Sequence, residues 1–168
     1  MAITSYTTLI SAVKTYLNRS DISDAQVKEF ISLAEASFNR VLRTRNQIKR
    51  STSDVSTQFV TMPTDLLELY NIQLNSNPIV RLEQVSLSAL DTLKAASSTT
   101  GKPTKFAITG SDLEFYPSPD ATYEIELIYY STIDPLSDSN ADNFLITNHP
   151  DIYCFATLVQ AEPFLMND

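Results

Sequence analysis

The sequence predicts an α+β protein: an antiparallel helical bundle carrying an inserted small antiparallel β-sheet domain. Three observations carry this. The first fifty residues hold apolar positions at helical spacing. The middle of the chain switches to alternation at a period of two. The last thirty residues return to a helical pattern, so the sheet falls between segments that can pack on one another. The boundaries expected are 1–50 for an N-terminal helical hairpin, 51–135 for a β-rich insertion with a short helix, and 136–168 for a loop and a C-terminal helix rejoining the bundle.

In SYTTLISAVKTYLNRSD the apolar residues Tyr6, Leu9, Ile10, Val13, Tyr16 and Leu17 recur at steps of three and four, one stripe of a helix capped by Thr4 or Ser5. Asn18 to Asp21 form a turn. Ser23 or Asp21 caps a second helix whose stripe is Val27, Phe30, Ile31, Ala34, Phe38, Val41 and Leu42. A short polar turn between two helices implies an antiparallel hairpin.

Beyond it, QFVTMPTDLLELYNIQL alternates, with Tyr70, Ile72 and Leu74 expected on one face of a strand after the loop at Pro63 and Asp65. NSNPIVRLEQV reads as a turn and an extended piece, and SLSALDTLKAA as a short helix capped by Ser86. KFAITGSDLEFYP has the form of a hairpin in which Phe106 and Ile108 face Leu113 and Phe115 and Gly110 takes the turn. TYEIELIYY is the strongest strand signal, with Tyr123, Ile125, Leu127 and Tyr129 on one face. These segments make three or four strands of a small sheet. A long loop, STIDPLSDSNADNFLITNHP, leads to a last helix opening at Pro150, with Asn148 or His149 near its cap. Its apolar surface is Tyr153, Phe155, Ala156, Leu158 and Val159. Pro163 is expected to disturb it near Glu162, because proline lacks an amide donor and crowds the preceding turn.

The chain has 168 residues, 43% of them hydrophobic, enough to bury the core of one compact domain. No apolar run approaches the roughly 20 residues that a membrane span needs. MAITSYTTLI lacks the basic start and apolar stretch of a signal peptide. A single cysteine permits no internal disulfide, which fits a reducing compartment or a particle assembled in one.

The only histidine, His149, lies five residues before the only cysteine, Cys154, which raises the question of a thiol hydrolase. Five residues on a helix separate two side chains by about 140° around the axis, so the pair does not share a face. Cys154 between Tyr153 and Phe155 reads as a buried small hydrophobe, and His149 before proline as a cap or hydrogen-bonding residue. With two glycines, far from any GxGxxG or GxxxxGKS spacing, no phosphate loop forms, and no HExxH or EF-hand spacing occurs. Asp134, Asp138 and Asp142 recur at steps of four in the long loop. A calcium site is conceivable there, but the tight turn and convergent oxygens that calcium needs are missing, so a solvated loop is the preferred reading. No catalytic, cofactor-binding or metal-binding residue is assigned.

Charge is distributed unevenly. The formal net charge is -8, yet residues 1–50 carry eight Lys/Arg and four Asp/Glu, while residues 106–168 carry eleven Asp/Glu and no Lys/Arg. Plain solvation explains such a split; so do subunits that meet through unlike surfaces. The densest basic segment, RVLRTRNQIKR, holds Arg40, Arg43, Arg45, Lys49 and Arg50 at and beyond the end of the second helix. Cations there complement the helix dipole and terminal carbonyls. Alternatively they contact an acidic neighbouring subunit, or the phosphates of nucleic acid as a small nucleic-acid-binding module. An acidic body around the segment opposes sustained DNA binding. The subunit- or partner-contact candidates are therefore Arg40, Arg43, Arg45, Lys49, Arg50, Asp134, Asp138 and Asp142, with the loop from Asp134 to Asn143 as the partner-facing segment.

Taken together, YTTLISAVKTYLNRSD, FISLAEASFNRVLRTR, MPTDLLELYNIQL, VSLSALDTL and the stretch from GKPTKFAITG to the end resemble the head-to-tail adaptor (connector) family of tailed phages. The resemblance covers nearly the whole chain. Its most specific pieces are Gly101-Lys102-Pro103, the strand pair ending Tyr116-Pro117-Ser118-Pro119-Asp120, the run Leu127-Ile128-Tyr129-Tyr130, and NFLITNHPDIYCFATLVQAEPFL. It implies a helical bundle with a β-rich insertion and no enzymatic activity. It implies a homo-oligomeric ring of about a dozen copies, a dodecamer, that docks on the portal protein, meets tail or nozzle proteins, and surrounds a DNA channel with transient DNA contact. It further implies a virion location at the head–tail interface, assembly in the host cytoplasm, no membrane and no cofactor. Family members usually continue past the position of Asp168 into a helix or tail that engages the portal.

Overall fold

A computed structural model describes residues 2–19 and 21–165. Among these the chain forms five α-helices, one 3-10 turn and eight strands. The chain divides into two compact units. One is built from the chain up to Asn46 and again from Ile133; the other is Gln47–Thr132.

In the first unit, α1 (Tyr6–Leu17) and α2 (Asp24–Val41) form because their ends are capped and their apolar residues share a face. Ser5 and Thr8, and Ser23 and Gln26, make reciprocal capping boxes. Asn18, at φ 50°, ends α1 in the left-handed conformation that asparagine tolerates. Leu9, Val13, Val27, Ile31 and Ala34 are buried between the helices, with α4 (Phe144–Asn148) and α5 (Pro150–Leu165) completing the core. Phe38 meets Tyr153 edge-on at 5.1 Å, and Phe30 meets Phe164 at 5.8 Å, so α5 runs antiparallel along α2. Pro163 does not break α5 at Glu162; it lies in the last turn and the helix extends to Leu165.

The second unit corrects the expected fold. It is not a small sheet inserted in a helical bundle. Among the described residues helix makes up 39% and strand 28%, and the strands form two four-stranded sheets. The first sheet has the order β1 (Ile48–Val55), β8 (Tyr123–Ser131), β3 (Leu66–Leu74), β4 (Val80–Arg81). The second has β2 (Phe59–Thr61), β7 (Asp112–Tyr116), β6 (Lys105–Thr109), β5 (Glu83–Gln84). β5 pairs with β6 in parallel, so the second sheet is not purely antiparallel. The expectation failed at strands with weak signals. β1 is a polar edge strand, IKRSTSDV, with no apolar alternation, and β2, β4 and β5 are two or three residues long.

The stronger strands behave as their patterns require. Phe106 pairs with Phe115 and Ile108 with Leu113 across the β6–β7 hairpin, and Gly110 takes the turn at φ 61°, where a side chain is disfavoured. Ile125, Leu127 and Tyr129 of β8 enter the second core with Ile72, Leu74 and Phe115. Tyr70 does not join Ile72 and Leu74. The pairing of β3 with β8 shifts between Leu69 and Asn71, and the extra residue turns Tyr70 outward, 64% exposed. The ends of the unit are tied to each other: Gln47 Nε2 donates to the Ser131 carbonyl at 3.2 Å, and Ser131 Oγ to the Gln47 carbonyl at 3.1 Å. α3 (Leu87–Ala96), capped by Ser86, covers one side with Leu90 buried.

The bulge yields a direct test. Ile72→Ala removes a fully buried side chain and should cost about 2–5 kcal/mol in urea unfolding, whereas Tyr70→Ala two residues earlier should stay within about 1 kcal/mol.

Candidate functional site

The basic segment does not act as one cluster. Arg43 curls back on its own helix, Nη1 donating to the carbonyls of Asn39 at 3.0 Å and Leu42 at 2.7 Å, so it caps the end of α2. Lys49 and Arg50 belong to β1 in the other unit. There Lys49 ion-pairs with Asp65 at 2.8 Å and Arg50 with Glu126 at 2.8 Å. Arg40, on the last turn of α2, and Arg45, just beyond it, are exposed and make no ion pair among the described residues.

Arg45 stands on the rim of a groove of about 580 Å³ in the first unit. Leu42, Phe144, Leu145 and Ile152 give the groove its apolar lining, and His149 joins Arg45 among its polar residues. His149 terminates α4, its N–H donating to the Leu145 carbonyl at 2.7 Å. The sequence placed Asn148 or His149 near the start of the last helix; His149 instead closes the short helix before it. Cys154 lies in the core, and burial pushes its thiol pKa up, the opposite of what a thiolate nucleophile requires.

The acidic candidates sit on a segment fastened along α2. Ile133 N donates to Asn39 Oδ1 at 2.9 Å, and Leu136 N to Glu35 Oε1 at 2.8 Å. Asp138 ion-pairs with Lys28 at 2.7 Å, and Tyr6 N donates to the Ala141 carbonyl at 2.7 Å. Asp134 and Asp142 point to solvent, but the backbone of the segment is pinned. Among the described residues no three His, Cys, Asp or Glu side chains gather as metal ligands.

At the centre of this wiring lies Glu35, which sequence reasoning missed. Its carboxylate is buried, and Oε1 accepts both Leu136 N–H and the Tyr153 hydroxyl, the latter at 3.1 Å. Tyr153 Oη in turn accepts from Asn143 Nδ2 at 2.7 Å, and Asn143 Oδ1 caps α4 through the amides of Leu145 and Ile146. Burial raises the Glu35 pKa against these two donors. Its helical position was the available signal, since Ile31, Ala34, Glu35 and Phe38 share the apolar face.

One further surface stands out. α5 is apolar nearly all the way round. Tyr153, Cys154, Thr157 and Ala161 face the core, yet Phe155 and Val159 on the opposite side are 60% and 61% exposed. A helix apolar on both sides normally has protein on both sides.

The family model described as SU10 adaptor protein matches residues 4–168. The chain belongs to the SU10 adaptor protein family. A comparison with curated proteins finds no match. Membership makes the chain a structural virion component that interacts with other phage head and tail proteins. Pinned loops, capped helix ends and a helix apolar on its outer side give this chain surfaces fixed in place.

Two measurements check this account. The buried Glu35 carboxyl has a raised folded-state pKa, so its favourable contribution is complete below the ordinary carboxylate range and is lost as pH rises through the raised value. The melting temperature of the wild type should therefore gain on that of Glu35→Gln as pH falls from 7 toward 5. Cys154 should react with a thiol reagent at least about a hundredfold more slowly in the folded protein than in urea.

Proposed function

We propose that the chain is a head-to-tail adaptor that assembles into a ring, joins the portal protein to the tail, and surrounds the channel through which DNA passes. The family match over residues 4–168 carries this reading. The exposed apolar side of α5 supports it, because a face of this kind calls for a protein partner.

The mechanism is mechanical. The helical unit supplies lateral contacts between copies, and the two-sheet unit offers loops to tail or nozzle proteins. Apolar burial, at roughly 25 cal/mol per Å² before ordering costs, supplies most of the assembly energy. Charge sets register. Asp134 and Asp142, exposed on a pinned backbone, suit recognition of a partner, since their positions are fixed before it arrives. Arg40, Arg43 and Arg45 face protein in this scheme. A channel that grips phosphates tightly would oppose DNA movement, and Arg43 already serves the helix end.

Native mass spectrometry of the chain, alone and mixed with the portal ring, tests the reading. A closed oligomer should appear, either free or on the portal. A monomer that stays a monomer and ignores the portal would overturn it.

A further inference from the structure

Two surfaces of the helical unit are complementary in chemistry and are built from different residues, adjoining at the first turn of α5. The first is the groove lined by Leu42, Phe144, Leu145 and Ile152, with Arg45 at its rim and Arg40 on the adjoining last turn of α2. Lys14, Arg19, Lys28, Lys49, Arg50, Lys94 and Lys105 all find carboxylates inside the chain. Within the helical unit Arg40 and Arg45 find none among the described residues, although acidic residues of the chain outnumber basic ones twenty to twelve. These two exposed arginines of the helical unit are placed to receive carboxylates from outside.

The second surface is the outer side of α5. Asp151, Phe155, Val159 and Glu162 follow at steps of four, four and three, which places all four on one side of a helix. All four are exposed. The stripe is apolar in the middle and carboxylate-bearing at both ends, and α5 carries no lysine or arginine. Neither Asp151 nor Glu162 pairs with a cation among the described residues. An apolar stripe ended by two acids matches an apolar groove attended by two unpaired arginines.

We propose that the outer stripe of α5 in one copy seats in the Leu42–Phe144–Ile152 groove of a second copy, with Asp151 and Glu162 opposed to Arg40 and Arg45. Because groove and stripe are different surfaces of the same unit, the contact is heterologous: each copy receives one neighbour and enters another. Such contacts propagate and close into a ring when the rotation permits. The inference rests on the ring reading above and names the surfaces that would make it.

Two charge-reversed chains test it. Arg40→Glu/Arg45→Glu carries a reversed groove and an intact stripe. Asp151→Lys/Glu162→Lys carries a reversed stripe and an intact groove. Sedimentation velocity over a concentration series, free and with the portal ring, reads the assembly of each. Either chain alone opposes like charges at every contact and should associate at least about tenfold more weakly than wild type. An equimolar mixture should assemble again, since intact then meets intact and reversed meets reversed. Recovery in the mixture also shows that both variants are folded. Phe155→Lys, which puts a charge at the centre of the stripe, should block assembly as a chain on its own while keeping the wild-type circular dichroism. If wild type assembles and the reversed chains assemble equally well alone, this contact is wrong and the ring reading stands. If the separate chains lose assembly and the mixture does not regain it, the pairing of these two surfaces is wrong. If wild type never assembles, free or with the portal, the ring reading fails first and the contact with it.

Discussion

A tyrosine hydroxyl sealed from water must be hydrogen-bonded, and the helical unit is arranged around that requirement at Tyr153. Glu35 supplies the acceptor and Asn143 the donor. Each of those residues then governs a second element. Glu35 holds the amide of Leu136, and Asn143 both caps α4 and donates to the Asp134 carbonyl at 2.8 Å. A long irregular segment thereby has its amides answered one after another: Ile133 by Asn39, Leu136 by Glu35, Asn140 by Ser137. The buried carboxylate is costly in isolation, and it persists because three elements depend on it at once.

The sheet unit shows the same economy around Asp65. Burial works to raise the Asp65 carboxyl, but the hydrogen bonds from Lys49 and Tyr129 outweigh it and hold it below the usual range. Tyr129 responds in the opposite sense: burial and the Asp65 carboxylate push its pKa up to about 12. The Asp65 carbonyl also accepts Thr132 N at 2.8 Å, where the chain leaves the unit. A lysine that looks, in sequence, like part of a basic cluster is thus committed to a structural pair within β1 and its neighbours. Charge density along the chain is a poor guide to charge density in space when a helix and a strand divide the segment between them.

What could be read from the sequence follows from how strongly each element is marked. α1 and α2 were legible because stripe and caps agree over most of their length; Ser5, Asn18 and Ser23 occupy the ends the pattern requires, while Tyr16 and Val41, at the last turns, carry the pattern past the buried face and are exposed. The β6–β7 hairpin and β8 were legible because both faces differ in polarity. β1 was not, since an edge strand needs only backbone pairing to β8 and carries Lys49, Arg50, Ser51, Thr52 and Ser53 without an apolar face. The second sheet went unrecognised for a different reason: beside its legible hairpin it holds only β2 and β5, three and two residues long, too short to show a pattern. Tyr70 was misplaced because one bulged residue inverts the faces of everything before it. At the candidate site, Arg40, Arg43, Arg45, Lys49 and Arg50 were named together as one basic segment, and only the partners of Arg43, Lys49 and Arg50 set those three apart. Glu35 was hidden in plain periodicity: a single acid on an apolar face looks like noise in a stripe unless its partners, about a hundred residues away, are known.

α5 brings these strands together. Its inner face is held by Tyr153, its N-terminus by Pro150 after the His149 cap, and its far end by Phe164 against Phe30. A helix so firmly held has little freedom left to lose, so ordering its exposed side chains against a neighbour costs less than it would on a mobile arm. That matters for any assembly of many identical contacts. In a closed ring each copy is gripped on two sides, and removing one means breaking both contacts together, so individually modest interfaces give a durable whole. Rigid presentation of Phe155 and Val159, with acids at either end to reject a wrong register, is therefore worth more to such a structure than a larger but looser apolar surface.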